Sequence, residues 1–156
     1  IVGPTAIIDK LIIAKQGTDL CTPSFNQAIV REIIKKNKLK EHITTLVSAY
    51  REKRDRMLEG LGKYMPKIDE LQWTIADGGL FLWVTLPEKM DANIMFNKAV
   101  KNKIAYVVGS AFYYDGGCRN TMRLNFSFPT LEEIDEGMKR LGMVVGEEAK
   151  NLRIKV

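Results

Sequence analysis

The chain has very little of what metal centres, disulfide scaffolds and histidine chemistry are built from. Of its 156 residues only two are cysteine and one is histidine. Cys21 and Cys118 are far apart and form no CxxC or Cys/His pattern, so the sequence predicts neither a zinc site nor a disulfide framework. His42 stands among polar residues near a helix start, where a surface role is expected rather than general-base catalysis. No apolar run approaches the ~20 residues that a membrane-spanning helix requires. The beginning, Ile1-Val2-Gly3-Pro4, has no basic leader and no initiator methionine. It is expected to be a strand end cut from something longer, in a cytoplasmic protein without a membrane partner.

What is present fits a globular domain, with 46% hydrophobic and 28% charged residues. The formal net charge is +5, with dense stretches at Lys35–Lys40 and Arg51–Arg56. Such charge can attract nucleic acid. Here Glu52, Asp55 and Glu59 interleave with the cations, so i,i+4 pairs on a solvated helix face are expected instead, and no nucleic-acid partner.

Periodicity predicts helices first. Pro4 suits a first helical position, with Ile7, Ile8, Leu11 and Ile12 on one stripe and Gly17 as the stop. Thr22-Pro23, or Ser24 with Gln27, is expected to cap a second helix. That helix has a buried face of Phe25, Ala28, Ile29 and Ile33, and Asn37 ends it. A long third helix carries Ile43, Leu46, Val47, Tyr50, Met57, Leu58 and Leu61 before Gly60, Gly62 and Pro66 crowd its end.

From Leu71 the period changes to two. Leu71, Trp73 and Ile75 alternate with polar residues, Ala76-Asp77-Gly78-Gly79 is a turn, and Leu80–Leu86 is an apolar strand ended by Pro87. Asp91 caps a helix running to about Lys101. Ile104–Val108 is a short strand, Gly109–Asn120 a loop, and Thr121–Phe128 an alternating strand. A Thr130/Glu133 capping box starts the last helix, with Ile134, Met138 and Leu141 inward. The tail after Gly146 is weakly patterned. Helices followed by mixed strands and helices predict an α+β sandwich, with helices packed on a mainly antiparallel sheet. Residues 1–38 read as a separate unit, the edge of a larger α/β domain, and residues 39–156 as a second domain. Two helices without their sheet should leave apolar faces exposed or self-associated.

Alternation in the last strand places Met122, Leu124, Phe126 and Phe128 on one face and Arg123, Asn125 and Ser127 on the other. A guanidinium held on a rigid strand suits a carboxylate, because its planar fork makes two parallel charge-assisted hydrogen bonds. The same alternation fits an exposed arginine on a solvated sheet, and by itself favours that reading. Gly78-Gly79 permits positive φ and close approach of a ligand, or is a plain hairpin turn. Tyr106–Tyr113 could line a pocket mouth or simply end a strand with aromatic packing. No lysine shows the apolar surroundings of a Schiff-base amine.

Several segments occur together in a familiar order. They are Ala14-Lys15-Gln16, Thr22-Pro23-Ser24-Phe25-Asn26-Gln27-Ala28, Tyr50–Asp55 with Met57-Leu58, Gly78-Gly79-Leu80-Phe81-Leu82-Trp83-Val84, Val108-Gly109-Ser110-Ala111-Phe112, and Met122–Ser127. With these the chain resembles the C-terminal part of fold-type-I pyridoxal-phosphate aminotransferases, in the branch of 2-aminoadipate, kynurenine and multi-substrate aromatic enzymes.

The resemblance implies a small C-terminal domain preceded by the last helices of the cofactor domain, in a homodimer acting on an amino acid and a 2-oxo acid. It implies that Arg123 binds the substrate α-carboxylate, that Gly78, Gly79 and Asn125 lie in the substrate site, and that Asn26 and Gln27 approach a subunit contact. Ala76 and Val108 stand where the family often has proline, which bears on loop stiffness. The lysine that bonds pyridoxal 5'-phosphate has no counterpart here. The chain alone is therefore expected to be inactive and to leave the cofactor to the full-length enzyme. The alternative resemblance is to the aminotransferase-like, effector-sensing domain of a winged-helix transcription regulator.

Overall fold

The computed structural model describes residues 1–155. The chain forms two compact units that divide between Leu46 and Val47. This boundary lies inside a continuous helix rather than at a linker.

The first unit is helical. Helix α1 spans Thr5–Thr18 and α2 spans Ser24–Lys35. Gly17 does not stop α1; the helix runs one residue further, and Leu20 with φ 55° carries the reversal. Pro23 occupies the N-cap position of α2, where it has no side-chain acceptor to offer. Neither expected cap forms there, and the Gln27 amide donates to the Thr22 carbonyl at 2.8 Å. Asn37 does close the helix, in the left-handed conformation (φ 54°) that asparagine tolerates. The expected buried face is not buried: α1 and α2 bury no residue at all, and Phe25 is 75% exposed. Ile7, Ile12, Ile29 and Ile33 are open as well. Helix α2 gathers its apolar residues on one side, whereas α1 carries them around its circumference.

The second unit begins within α3 (Lys38–Tyr64). Its order is then β1 (Gln72–Trp73), β2 (Phe81–Thr85), α4 (Ala92–Lys101), β3 (Val107–Val108), a 3-10 turn (Gly109–Phe112), β4 (Thr121–Asn125) and α5 (Leu131–Asn151). The strands form one antiparallel sheet in the order β1-β2-β4-β3. This is the α+β arrangement expected from the sequence, with shorter strands.

One core joins sheet and helices. Leu82 and Val84 of β2 and Met122 and Leu124 of β4 meet Met57 and Leu61 of α3, Met95 and Ala99 of α4, and Ile134, Met138 and Leu141 of α5. Helices α3 and α5 approach closely through glycine. A Cβ on Gly60 would stand 2.8 Å from the Met138 side chain, and one on Gly142 would stand 2.8 Å from the Tyr64 carbonyl carbon and closer still to its oxygen.

Helix α5 is longer than its pattern suggests. It continues through Gly146 to Asn151, with Ala149 buried and Glu148 paired to Lys98 of α4. Its start follows the sequence signal. Thr130 Oγ1 accepts from the Glu133 N–H at 3.2 Å, and Glu133 accepts from the Thr130 N–H at 2.8 Å.

Candidate functional site

With the core on one side of the sheet, alternation puts Phe81, Trp83 and Thr85 of β2 on the other. Thr121, Arg123 and Asn125 of β4 share that face. Trp83 and Val107 lie directly opposite Arg123 on its two neighbouring strands. Arg123 therefore sits mid-sheet with its backbone fixed from both sides.

Its side chain is half-buried and makes no ion pair and no hydrogen bond among the described residues. The guanidinium carbon lies 3.9 Å from the Phe81 ring centroid and 4.8 Å from that of Phe112. Both distances are within the range of cation–π attraction. Trp83 packs edge-on against Phe112 at 5.5 Å. The Arg123 Nε is buried without a partner, and such groups in folded proteins call for an explanation. A solvated arginine on an open sheet face does not fit this environment. A cation held by rings and left without a counter-charge does.

Asn125 closes the strand. Its Oδ1 accepts from the Ser127 N–H at 2.8 Å and from the Ser127 hydroxyl at 2.7 Å. The chain turns there, and Phe128 is consequently 90% exposed instead of facing the core with Met122, Leu124 and Phe126. Gly78 and Gly79 lie in the loop leading to Phe81, both exposed, with open space where a Cβ would stand. Only Gly79 needs glycine for its backbone, at φ +84°.

The segment that carries Phe112 is fixed from several directions. Gly109 is pressed on Thr121, whose Cβ would be 2.8 Å from an added methyl. The Ser110 hydroxyl donates to Asn93 Oδ1 at 2.8 Å, and the Asn93 amide donates to Asp91 at 3.1 Å. Asp91 caps α4 as expected, accepting from the Asn93 and Ile94 N–H groups. Burial raises the Asp91 pKa, but the hydrogen bonds from Arg119, Asn93 and Ile94 outweigh it and hold the carboxyl below its usual 3.8. Tyr106 donates to the Ala92 carbonyl at 2.7 Å, and burial, with Asp91's charge adding, pushes its hydroxyl well above the ordinary tyrosine range.

Two cations of α3 reach the loops at the same end of the sheet. Lys53 donates to the Ser127 carbonyl at 3.0 Å, and Arg54 to the Ala76 carbonyl at 3.0 Å. The charged run is thus not all solvated face. The pairs formed there also differ from i,i+4: Arg54 with Asp55 at 2.6 Å, and Arg56 with Glu59 at 3.8 Å and with Asp135 at 3.5 Å. Nothing in the run's spacing marks Lys53 and Arg54, because their acceptors are backbone carbonyls distant in sequence. Phe81 and Phe112 carried a detectable signal only once register was known.

Every lysine is exposed or half-buried; of the half-buried pair, Lys53 is bound to Ser127 and Lys98 to Glu148. Among the described residues no cluster of His, Cys, Asp and Glu could hold a metal, both cysteines are free and exposed, and no helix is long and apolar enough to cross a membrane. His42 is exposed, as expected. Asn26 and Gln27 lie on the open α2, away from any buried environment.

Comparison with known proteins places this architecture. Residues 1–141 match the family "Aminotransferase class I and II". The chain is 45% identical over 143 residues to aromatic-amino-acid aminotransferase 1 of Thermococcus litoralis, covering 92% of this chain and 34% of that protein. It is 39% identical over 135 residues to 2-aminoadipate transaminase of Thermus thermophilus, covering 86% and 33%. The crystal structure of Pyrococcus horikoshii kynurenine aminotransferase, a complex with PMP, superposes with a TM-score of 0.81 at 43% identity over 92% of this chain and 35% of that one. An uncharacterized HTH-type transcriptional regulator of Bacillus subtilis is similar at 28% identity over 88% of this chain and 28% of its own length. The chain spans about a third of the length of the aminotransferases it matches. Sheet, core and sequence agree, and this chain belongs to the class I and II aminotransferases.

Proposed function

We propose that the chain is the C-terminal portion of a pyridoxal-phosphate-dependent enzyme that moves an amino group between an amino acid and a 2-oxo acid. In this reading residues 1–38 are the edge of the cofactor domain and residues 39–156 the small domain of a cytoplasmic homodimer. Arg123 is the anchor for the substrate carboxylate. The observation that carries the proposal is a half-buried guanidinium, fixed on a central strand, with no acid beside it.

Pyridoxal 5'-phosphate supplies the electron sink of such chemistry, and in this reading residues outside the present chain hold it. The part of these residues is binding and orientation. A bidentate pair between Arg123 and a carboxylate fixes two atoms of the substrate and so restricts the position of its Cα. Gly78 and Gly79 leave the approach over Phe81 uncluttered by side chains. Asn125 holds the strand end through Ser127 while its amide N–H groups stay available to a ligand. The chain by itself has no covalent partner for the cofactor and is expected to be inactive.

Replacement of Arg123 in the full-length enzyme tests the assignment. Arg123→Ala should lower kcat/KM for amino acids by at least about a hundredfold, since the two hydrogen bonds of the pair contribute ~1.5–3 kcal/mol each. Arg123→Lys should recover part of the loss. An unchanged kcat/KM for Arg123→Ala would remove the basis of the proposal.

The second reading is an effector-sensing domain of a winged-helix regulator, favoured by the similarity to the Bacillus subtilis protein. Arg123 would then hold an amino-acid effector. A DNA-binding head in the full-length protein, together with absent turnover, would select this reading.

A further inference from the structure

Arginines that must stay in place are commonly held by a carboxylate. That arrangement consumes donors and neutralises the charge. Arg123 is held in a different way. Phe81 comes from β2 and Phe112 from the turn after β3, the two strands that flank β4. Their rings stand 3.9 and 4.8 Å from the guanidinium carbon. Trp83, opposite Arg123 in register, backs Phe112 edge-on. The buried nitrogen without a partner is Nε; the edge left for a ligand is the one formed by Nη1 and Nη2.

We infer that Phe81 and Phe112 are positioning residues that hold Arg123 by their ring faces and restrict it to end-on recognition of a carboxylate by its two terminal nitrogens. The inference rests on the proposed role of Arg123 and adds how that role is made selective. A ring attracts the cation electrostatically yet accepts no full hydrogen bond, so every terminal donor remains for the ligand. It also lowers the local polarity, which strengthens a charge-assisted pair and leaves a neutral carboxamide no comparable gain. An aliphatic side chain of similar bulk supplies only the packing.

The test uses the full-length protein and an unreactive pair of ligands, 3-phenylpropanoate and 3-phenylpropanamide, with binding measured by calorimetry. Phe112→Leu and Phe81→Leu should each weaken the carboxylate about two- to fivefold and leave the amide unchanged. Phe112→Tyr, which retains the ring face, should bind the carboxylate like the parent protein. If both Leu variants keep the parental carboxylate-to-amide ratio while Arg123→Ala abolishes it, the inference fails and the Arg123 assignment stands. If Arg123→Ala itself leaves the ratio intact, the assignment fails. A Phe112→Tyr variant as weak as Phe112→Leu would reduce the effect to packing and also overturn the inference. Both rings are substantially exposed, so the substitutions leave the core untouched.

Discussion

Replacing Gly142 by alanine sets two effects of opposite sign against each other. Alanine is the better helix former by about 1 kcal/mol, and Gly142 lies inside α5. The added methyl, however, would stand 2.8 Å from the Tyr64 carbonyl carbon and closer still to its oxygen. Ordinary carbon–oxygen approaches are about 3.3–3.6 Å. Tyr64 is the last residue of α3, and the obstructing atoms are backbone, so no rotamer change relieves the clash. Overpacking of this kind costs roughly 1–3 kcal/mol, occasionally more. A position blocked by backbone belongs at the upper end, giving a net loss of about 2 kcal/mol. Gly137 and Gly146 of the same helix have nothing within 4 Å of an added Cβ and serve as controls. Alanine there should stabilise by up to about 1 kcal/mol. Urea unfolding followed by the fluorescence of Trp73 and Trp83, the chain's two tryptophans, reads the unit that contains α5. A midpoint for Gly142→Ala at or above that of the parent would refute the close-contact reasoning.

Two further outcomes follow from the same geometry. Gly79→Ala, at φ +84°, should destabilise by about 1–2 kcal/mol, whereas Gly78→Ala should be near neutral; equal thermal midpoints for the two would contradict this. Asp91 has a lowered pKa in the fold, so its contribution is present above the unfolded value and lost as pH falls through the folded one. Asp91→Asn should therefore be less stable than the parent at pH 7, with the gap closing below about pH 4; a gap that persists undiminished in acid would show that the charge is not its source.

The local signals in the sequence were the readable ones. Thr130 with Glu133, Asp91 before α4 and Asn37 after α2 each act within one helical turn, and each forms the cap its chemistry implies. The 3.6 period found the inward face of α5, and the period of two found the inward face of β4 as far as Phe126. Phe128 broke the alternation because Asn125 and Ser127 turn the chain first. Pro23 displaced the expected cap of α2, since a proline at the N-cap position has no acceptor to give. The environment of Arg123 was out of reach: Phe81, Trp83 and Phe112 meet it only through strand register and the 3-10 turn. Lys53 and Arg54 were unreadable for a similar reason, their partners being carbonyls rather than side chains of complementary charge. The face of α2 was read as buried and is exposed, because periodicity says nothing of what, if anything, covers it.

Because β4 is bonded along both edges, the peptide group that carries Arg123 belongs to the ladder expected to exchange its amide protons most slowly in the sheet. The exposed Gly78-Gly79 loop at its margin can open without releasing that anchor point. Solvent and small molecules can thus come and go around a cation whose root stays put on the timescale of those openings.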